Sequence, residues 1–183
     1  MKNIGIMKIA ITGVVLGSAA LLPISEVRAA PLISPFSVAI GGNFLQSNTA
    51  RNNFNDYGLH VGLGYTLPGL GITSGTPSID ADYDYNSGHG NTVNTYALFI
   101  TDRYYITKLI TAGTFSPYFG AGVGGAVLNG SGDIGSGNAT NFAGKFLIGA
   151  KFSQAFVELA YQLNGKIDGY DDTNFNLTVG THF

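Results

Sequence analysis

The 183-residue chain contains no cysteine. That excludes a disulfide framework, a thiolate metal site, a cysteine nucleophile and a lipoprotein anchor. Charged residues are scarce, at 11%, and basic ones scarcer than acidic. Without the leader described below, six basic residues stand against ten acidic, a net charge of −4. No basic stripe exists to replace counterions on a phosphate backbone, so nucleic acid is not an expected partner. Long apolar runs are missing as well. Beyond residue 30 no stretch is apolar enough to cross a bilayer as a helix, and none repeats convincingly every 3.6 residues. The hydrophobic residues, 45% of the chain, are instead scattered among 27 glycines, an unusual texture for a cytosolic protein. The length allows one domain.

The first thirty residues carry Lys2 and Lys8, an apolar stretch from Ile9 to Leu22, a break at Pro23, and then Val27-Arg28-Ala29-Ala30-Pro31. This is the layout of a secretory signal peptide. Cleavage after Ala29 puts Val27 and Ala29 at the small-residue positions, whereas cleavage after Ala30 would set Pro31 beside the scissile bond. A leader over 1–29 and a mature domain over 30–183 are therefore expected. The rival, a single transmembrane anchor, needs roughly 20 apolar residues, which the run does not reach.

Period two dominates the mature chain. Tyr57, Leu59, Val61, Leu63, Tyr65 and Leu67 alternate with Gly58, His60, Gly62, Gly64 and Thr66. Phe175, Leu177, Val179, Thr181 and Phe183 alternate with Asn174, Asn176, Thr178, Gly180 and His182. Ser37 to Phe44, Ile79 to Asn86, Pro117 to Leu128, Asn141 to Phe152 and Ala155 to Leu163 behave similarly, and the less regular Val93 to Ile106 completes eight strands. The mature length allows about 19 residues per strand and connection, which suits membrane strands of about 9–11 residues. Gln46 to Asp56, Ser87 to Thr92, Asn129 to Thr140 and Asn164 to Thr173 are rich in Asn, Gly, Ser and Asp and are expected as exterior loops. Pro68 to Pro77, Thr107 to Ser116 and Ser153-Gln154 are expected as periplasmic turns. An even strand count with this asymmetry predicts an all-β, eight-stranded, antiparallel up-and-down transmembrane barrel, closed because a sheet edge in hydrocarbon has no water to bond.

Charge decides which face meets lipid, since a Lys or Arg at the bilayer midplane costs about 2–4 kcal/mol. Asp80, Asp82 and Asp84 share one parity, opposite Ile79, Ala81, Tyr83 and Tyr85; Lys145 and Lys151 lie opposite Phe142, Phe146, Ile148 and Phe152; Glu158 lies opposite Val157, Leu159, Tyr161 and Leu163. These charges, with Arg103, are expected to interleave as a luminal polar network. The fourth strand is ambiguous. If Ala97, Phe99 and Thr101 face lipid, Asp102 is luminal and Arg103 snorkels at the rim; the opposite phase stays open. The glycines at 58, 62, 64, 120, 122 and 124 fall on the inward parity, where they relieve crowding and allow coiling.

Four segments carry a family likeness: Asp82-Tyr83-Asp84-Tyr85, Asp102-Arg103-Tyr104-Tyr105, the run from Ser116 to Gly125 (SPYFGAGVGG), and Val157-Glu158-Leu159-Ala160-Tyr161. With them the mature chain resembles the small OmpA-like and opacity-type outer-membrane β-barrel proteins. The resemblance implies that Phe183 is a signal read by the barrel assembly machinery, with periplasmic chaperones as further partners. Two departures stand out: Gln162-Leu163 occupies a place where the family often has Arg-Tyr, and no peptidoglycan-binding domain follows, which removes cell-wall tethering from the expected roles.

Other constellations are weaker. Gly120, Gly122 and Gly125 have dinucleotide-fingerprint spacing, but they lie within a strand with no helix following, so no cofactor is expected. His60, His89 and His182 would need to converge with carboxylates to bind metal, and luminal packing is the simpler reading. Ser87, His89 and Asp84 are the one set worth testing as nucleophile, base and orienter. Tyr57, Tyr65, Tyr104, Tyr105, Tyr118 and Tyr170 suit interfacial girdles, and Lys166, Asp168, Asp171 and Asp172 a solvated loop. The expectation is a non-enzymatic surface barrel in outer-membrane lipid, supporting envelope integrity and offering its loops to a host or surface ligand. A narrow channel and a lipid-modifying enzyme are the alternatives.

Overall fold

The computed structural model describes residues 35–67, 75–106, 115–132, 136–167 and 169–183. The expected leader, Asp168 and most of the connections Pro68–Pro77 and Thr107–Ser116 lie outside the described residues. The elements are β1 (Phe36–Leu45), α1 (Asn48–Asn53), β2 (Tyr57–Thr66), β3 (Thr76–Gly88), β4 (Asn91–Tyr105), β5 (Phe115–Gly132), β6 (Gly137–Phe152), β7 (Ala155–Ile167) and β8 (Tyr170–His182). Each strand pairs antiparallel with its sequence neighbours, and β1 also pairs with β8, so the sheet is a closed barrel. Ile40 faces Val61 on one side and Val179 on the other. Closure leaves no edge of unpaired N–H and C=O groups, the condition for a sheet surrounded by hydrocarbon.

Alternation sorts the side chains. Ile40, Leu63, Leu98, Ile100, Ile148 and Val179 are 56–66% exposed on the outer belt, while Asn43, Asn86, Gln162, Asn174 and Asn176 are fully enclosed. This apolar-out, polar-in order is the inverse of a soluble barrel and the pattern of a membrane barrel. The fourth strand takes the second of its two phases. Phe99 and Thr101 are 0% exposed and Ala97 is enclosed, whereas Leu98 and Ile100 point outward. Arg103 is thereby luminal and Asp102 takes the outward parity beside Gly75. Both parities of β4 are apolar, so periodicity could not decide; burying Arg103 among carboxylates and giving Tyr96, Leu98 and Ile100 to lipid does.

The interior is not uniformly polar. Leu45, Ala50, Phe54, Val93, Ala97, Phe99, Ala126, Leu128, Ala143 and Ile167 form an apolar cluster toward the end that carries α1. Tyr105, Tyr118, Leu147 and Ala160 form a second toward the end that carries the barrel's termini. Tyr105 and Tyr118 therefore leave the expected girdle and pack inside, 5.3 Å apart. Tyr170 stands edge-on to Phe54 under α1. Tyr57 and Tyr65 remain outside.

Three of the four expected exterior loops are largely ladder. β3 and β4 pair up to Gly88 and Asn91, leaving a two-residue turn in which His89 (φ 50°) and Gly90 (φ 77°) both adopt the left-handed conformation that such hairpins require. β5 and β6 pair out to Gly130 and Gly137, and β7 and β8 to Ile167 and Tyr170 with a register shift between Leu163 and Lys166. A ladder continued into water needs backbone bonds but no apolar side chains, so its Asn- and Gly-rich composition reads as loop. Among the described residues, the β1–β2 connection is the expected exterior loop that is not continued as ladder. It holds α1, capped by Ser47, whose side chain accepts from the Ala50 N–H. Ala50 and Phe54 anchor it into the barrel mouth. At the other end Ser153-Gln154 is the tight turn expected, with Ser153 at φ 57°.

Candidate functional site

A strand places residues i, i+2 and i+4 on one face, so Asp80, Asp82 and Asp84 point into the lumen in a row, all at most 6% exposed. Across the barrel, β6 supplies Lys145 and β7 supplies Glu158, while the neighbouring strand β4 supplies Arg103. Lys145 Nζ lies 2.8 Å from Asp82 Oδ2, 3.5 Å from Asp80 Oδ2 and 4.0 Å from Glu158 Oε1. Arg103 donates from Nη2 to Asp80 Oδ2 at 2.9 Å and from Nε to Glu158 Oε2 at 3.2 Å. Its Nη1 donates to Ser78 Oγ at 2.7 Å. Tyr118 donates to Glu158 at 3.1 Å and Gln162 to Asp82 at 2.5 Å. The Lys145 ammonium also lies 5.5 Å from the centre of the Phe99 ring, within cation–π range. Three carboxylates and two cations thus share one desolvated cluster, sandwiched between the two apolar clusters.

The expected network members divide. Asp80, Asp82, Arg103, Lys145 and Glu158 come together. Asp84 is linked to them through His60, whose Nδ1 lies 2.6 Å from Asp84 Oδ1 and whose Nε2 lies 3.9 Å from Asp82 Oδ1. Lys151 is half-buried toward the terminal end and makes no ion pair among the described residues. Phe183 is outside, 66% exposed, its N–H donating to the Phe36 carbonyl at the β1–β8 seam.

Sequence reasoning missed a second polar group toward the α1 end. Asp172, expected on a solvated loop, is 4% exposed inside the barrel. Its Oδ2 accepts from Thr95 Oγ1 at 2.7 Å and Asn164 Nδ2 at 3.1 Å. The signal was present: Asp172 shares the parity of Asn174, Asn176 and Thr178, the inward row of β8, extended one step past the expected strand start. The side-chain amides of Asn43, Asn86 and Asn176 have no hydrogen-bond partner among the described residues.

The residues weighed as a catalytic set do not assemble. Asp84 is luminal on β3, and Ser87 has the opposite parity with its Oγ against Thr92 Oγ1 at 3.3 Å. His89 sits in the exposed turn. Among the described residues no three His, Asp or Glu side chains converge as a metal centre. The glycines of β5 serve packing: a Cβ on Gly124 would fall 1.8 Å from the Leu98 carbonyl oxygen.

No protein-family model matches the chain, and no curated protein sequence matches it. Solved structures do. Neisserial surface protein A (NspA) superposes with a TM-score of 0.54 at 14% identity, over 82% of this chain and 98% of that one. The outer membrane enzyme PagL gives 0.48 at 20% identity, over 79% and 95%. The N-terminal β-barrel domain of Pseudomonas aeruginosa OprF gives 0.46 at 16% identity, over 80% and 97%. At such identities the likeness is one of fold. The closed eight-stranded sheet with its apolar belt is the fold of a small bacterial outer-membrane barrel.

Proposed function

We propose that this is a non-enzymatic outer-membrane barrel of the OmpA-like or opacity type, delivered by the leader over 1–29 and acting through its outer surface to support the envelope. The observation that carries this reading is the filled lumen. An ion-pair cluster occupies its middle, with apolar side chains packed on either side of it, which disfavours a conducting path. The surface offered to a ligand at the α1 end then includes the loop 46–56 and the β3–β4 turn at His89–Gly90. Phe183, outward at the seam where β1 meets β8, suits recognition by the assembly machinery.

Planar-bilayer recording of the purified protein tests the reading: electrical silence is expected, and a steady conductance would transfer the assignment to the narrow-channel alternative. A deletion strain should leak periplasmic contents or gain detergent sensitivity, and the wild-type gene should restore it. Exchange of residues 46–56 should alter surface binding while leaving heat-modifiable folding intact.

A further inference from the structure

The enclosed charges do not balance. Asp80, Asp82, Asp84, Glu158 and Asp172 are all buried in the lumen, against Arg103 and Lys145 and the imidazole of His60. Both permanent cations belong to the middle cluster, where they serve Asp80, Asp82 and Glu158. Asp84 has His60, and Asp172 has no cationic side chain in ion-pair range among the described residues. A buried carboxylate without compensation is among the costliest features a folded protein can hold.

The surroundings of Asp172 are rich in oxygen. Thr95 and Asn164 contact its Oδ2. Thr95 is the register partner of Asp84. Asn174 donates to Asp84 Oδ2 at 3.5 Å. Three oxygens here, Asp172 Oδ1, Asn164 Oδ1 and Asn174 Oδ1, are buried with no hydrogen-bond partner among the described residues, on residues 0–4% exposed. Carboxylate, amide carbonyl and hydroxyl oxygens are the donor types of a hard cation such as calcium or sodium, which takes neutral oxygens alongside one or two carboxylates. We propose that the cluster of buried oxygens on Asp84, Asp172, Thr95, Asn164 and Asn174 binds one hard cation, with Asp172 as its principal ligand. The inference goes beyond the envelope role and does not depend on it.

The test uses the full mature protein refolded in a zwitterionic detergent after chelator dialysis. Thermal unfolding is followed by circular dichroism in choline chloride, sodium chloride and calcium chloride at equal ionic strength. Wild type and Asp171→Asn, altered at a half-buried neighbouring carboxylate on the opposite parity of β8, are expected to unfold several degrees higher in one metal salt than in choline. Asp172→Asn is expected to lose that difference. Equilibrium dialysis of the wild type with radioactive calcium or sodium gives a readout independent of the variant's folding, with about one ion retained per chain expected. Calcium retention against excess sodium identifies a divalent site, and the reverse a monovalent one. Identical unfolding in all three salts, no retained ion, or equal retention by Asp172→Asn would each overturn the proposal, leaving Asp172 neutralised by a proton.

Discussion

Lys145 on β6 and Asp82 on β3, from opposite walls of the barrel, meet at 2.8 Å near its axis. Two strands, β4 and β5, separate them on the shorter way round the sheet and four on the longer, so the contact exists only because the sheet closes. It ties the two halves of the wall together through the middle.

Lys145→Ala should destabilise the protein by about 3–5 kcal/mol, because it leaves Asp80, Asp82 and Glu158 enclosed with Arg103 as their one permanent cation. Urea unfolding in detergent measures this, and a change below about 0.5 kcal/mol would deny the cluster a structural role. The double variant Lys145→Met with Asp82→Asn should recover much of the loss, since no unpaired charge then remains at that contact.

The phase of β4 can be read directly, since a chain without native cysteine accepts single labelling sites cleanly. Spin labels at Leu98 and Ile100 should be accessible to oxygen dissolved in lipid, and a label at Phe99 should be shielded. The opposite alternation would return Arg103 to the rim and dismantle the luminal cluster.

Two adjacent glycines should respond differently to one methyl group. In Gly124→Ala the new Cβ would meet the Leu98 carbonyl oxygen at 1.8 Å, whereas in Gly125→Ala the nearest atom is 3.6 Å away. Overpacking against backbone costs about 1–3 kcal/mol or more, so Gly124→Ala should fold with visibly reduced heat resistance on gels. Gly125→Ala should match the wild type; equal behaviour of the two would contradict the tight coiling at β4–β5.

Phe54→Ala should release the α1 loop while the barrel persists. Phe54 is 2% exposed and seals α1 into the mouth with Leu45, Val93 and Tyr170, and losing such a ring costs about 3–5 kcal/mol. Limited proteolysis of folded protein should cut between residues 46 and 56 in the variant and spare the wild type.

Processing supplies a separate check on the leader. Mass spectrometry of protein extracted from the outer membrane should give a mature chain starting at Ala30. A product that retains Met1 would reinstate the anchor reading.

Alternation of side chains alone was enough to announce eight strands, the closed sheet and the inward row of Asp80, Asp82 and Asp84. Period two is a property of the extended backbone, and lipid on one side enforces it residue by residue. Lys145 and Glu158 could be assigned inward by the same reasoning, because no charge competes for the greasy parity of β6 or β7. What alternation could not decide was settled by neighbours far away in the chain. The phase of β4 followed from where Arg103 finds carboxylates, since Val93, Ala97 and Phe99 on one parity are as apolar as Tyr96, Leu98 and Ile100 on the other. Asp172 and the long hairpins were hidden because a ladder beyond the bilayer no longer needs apolar side chains and looks like loop. Pairing itself, Lys145 with Asp82 or His60 with Asp84, depends on the stagger of the closed barrel, and stagger is a relation between strands that no single strand encodes.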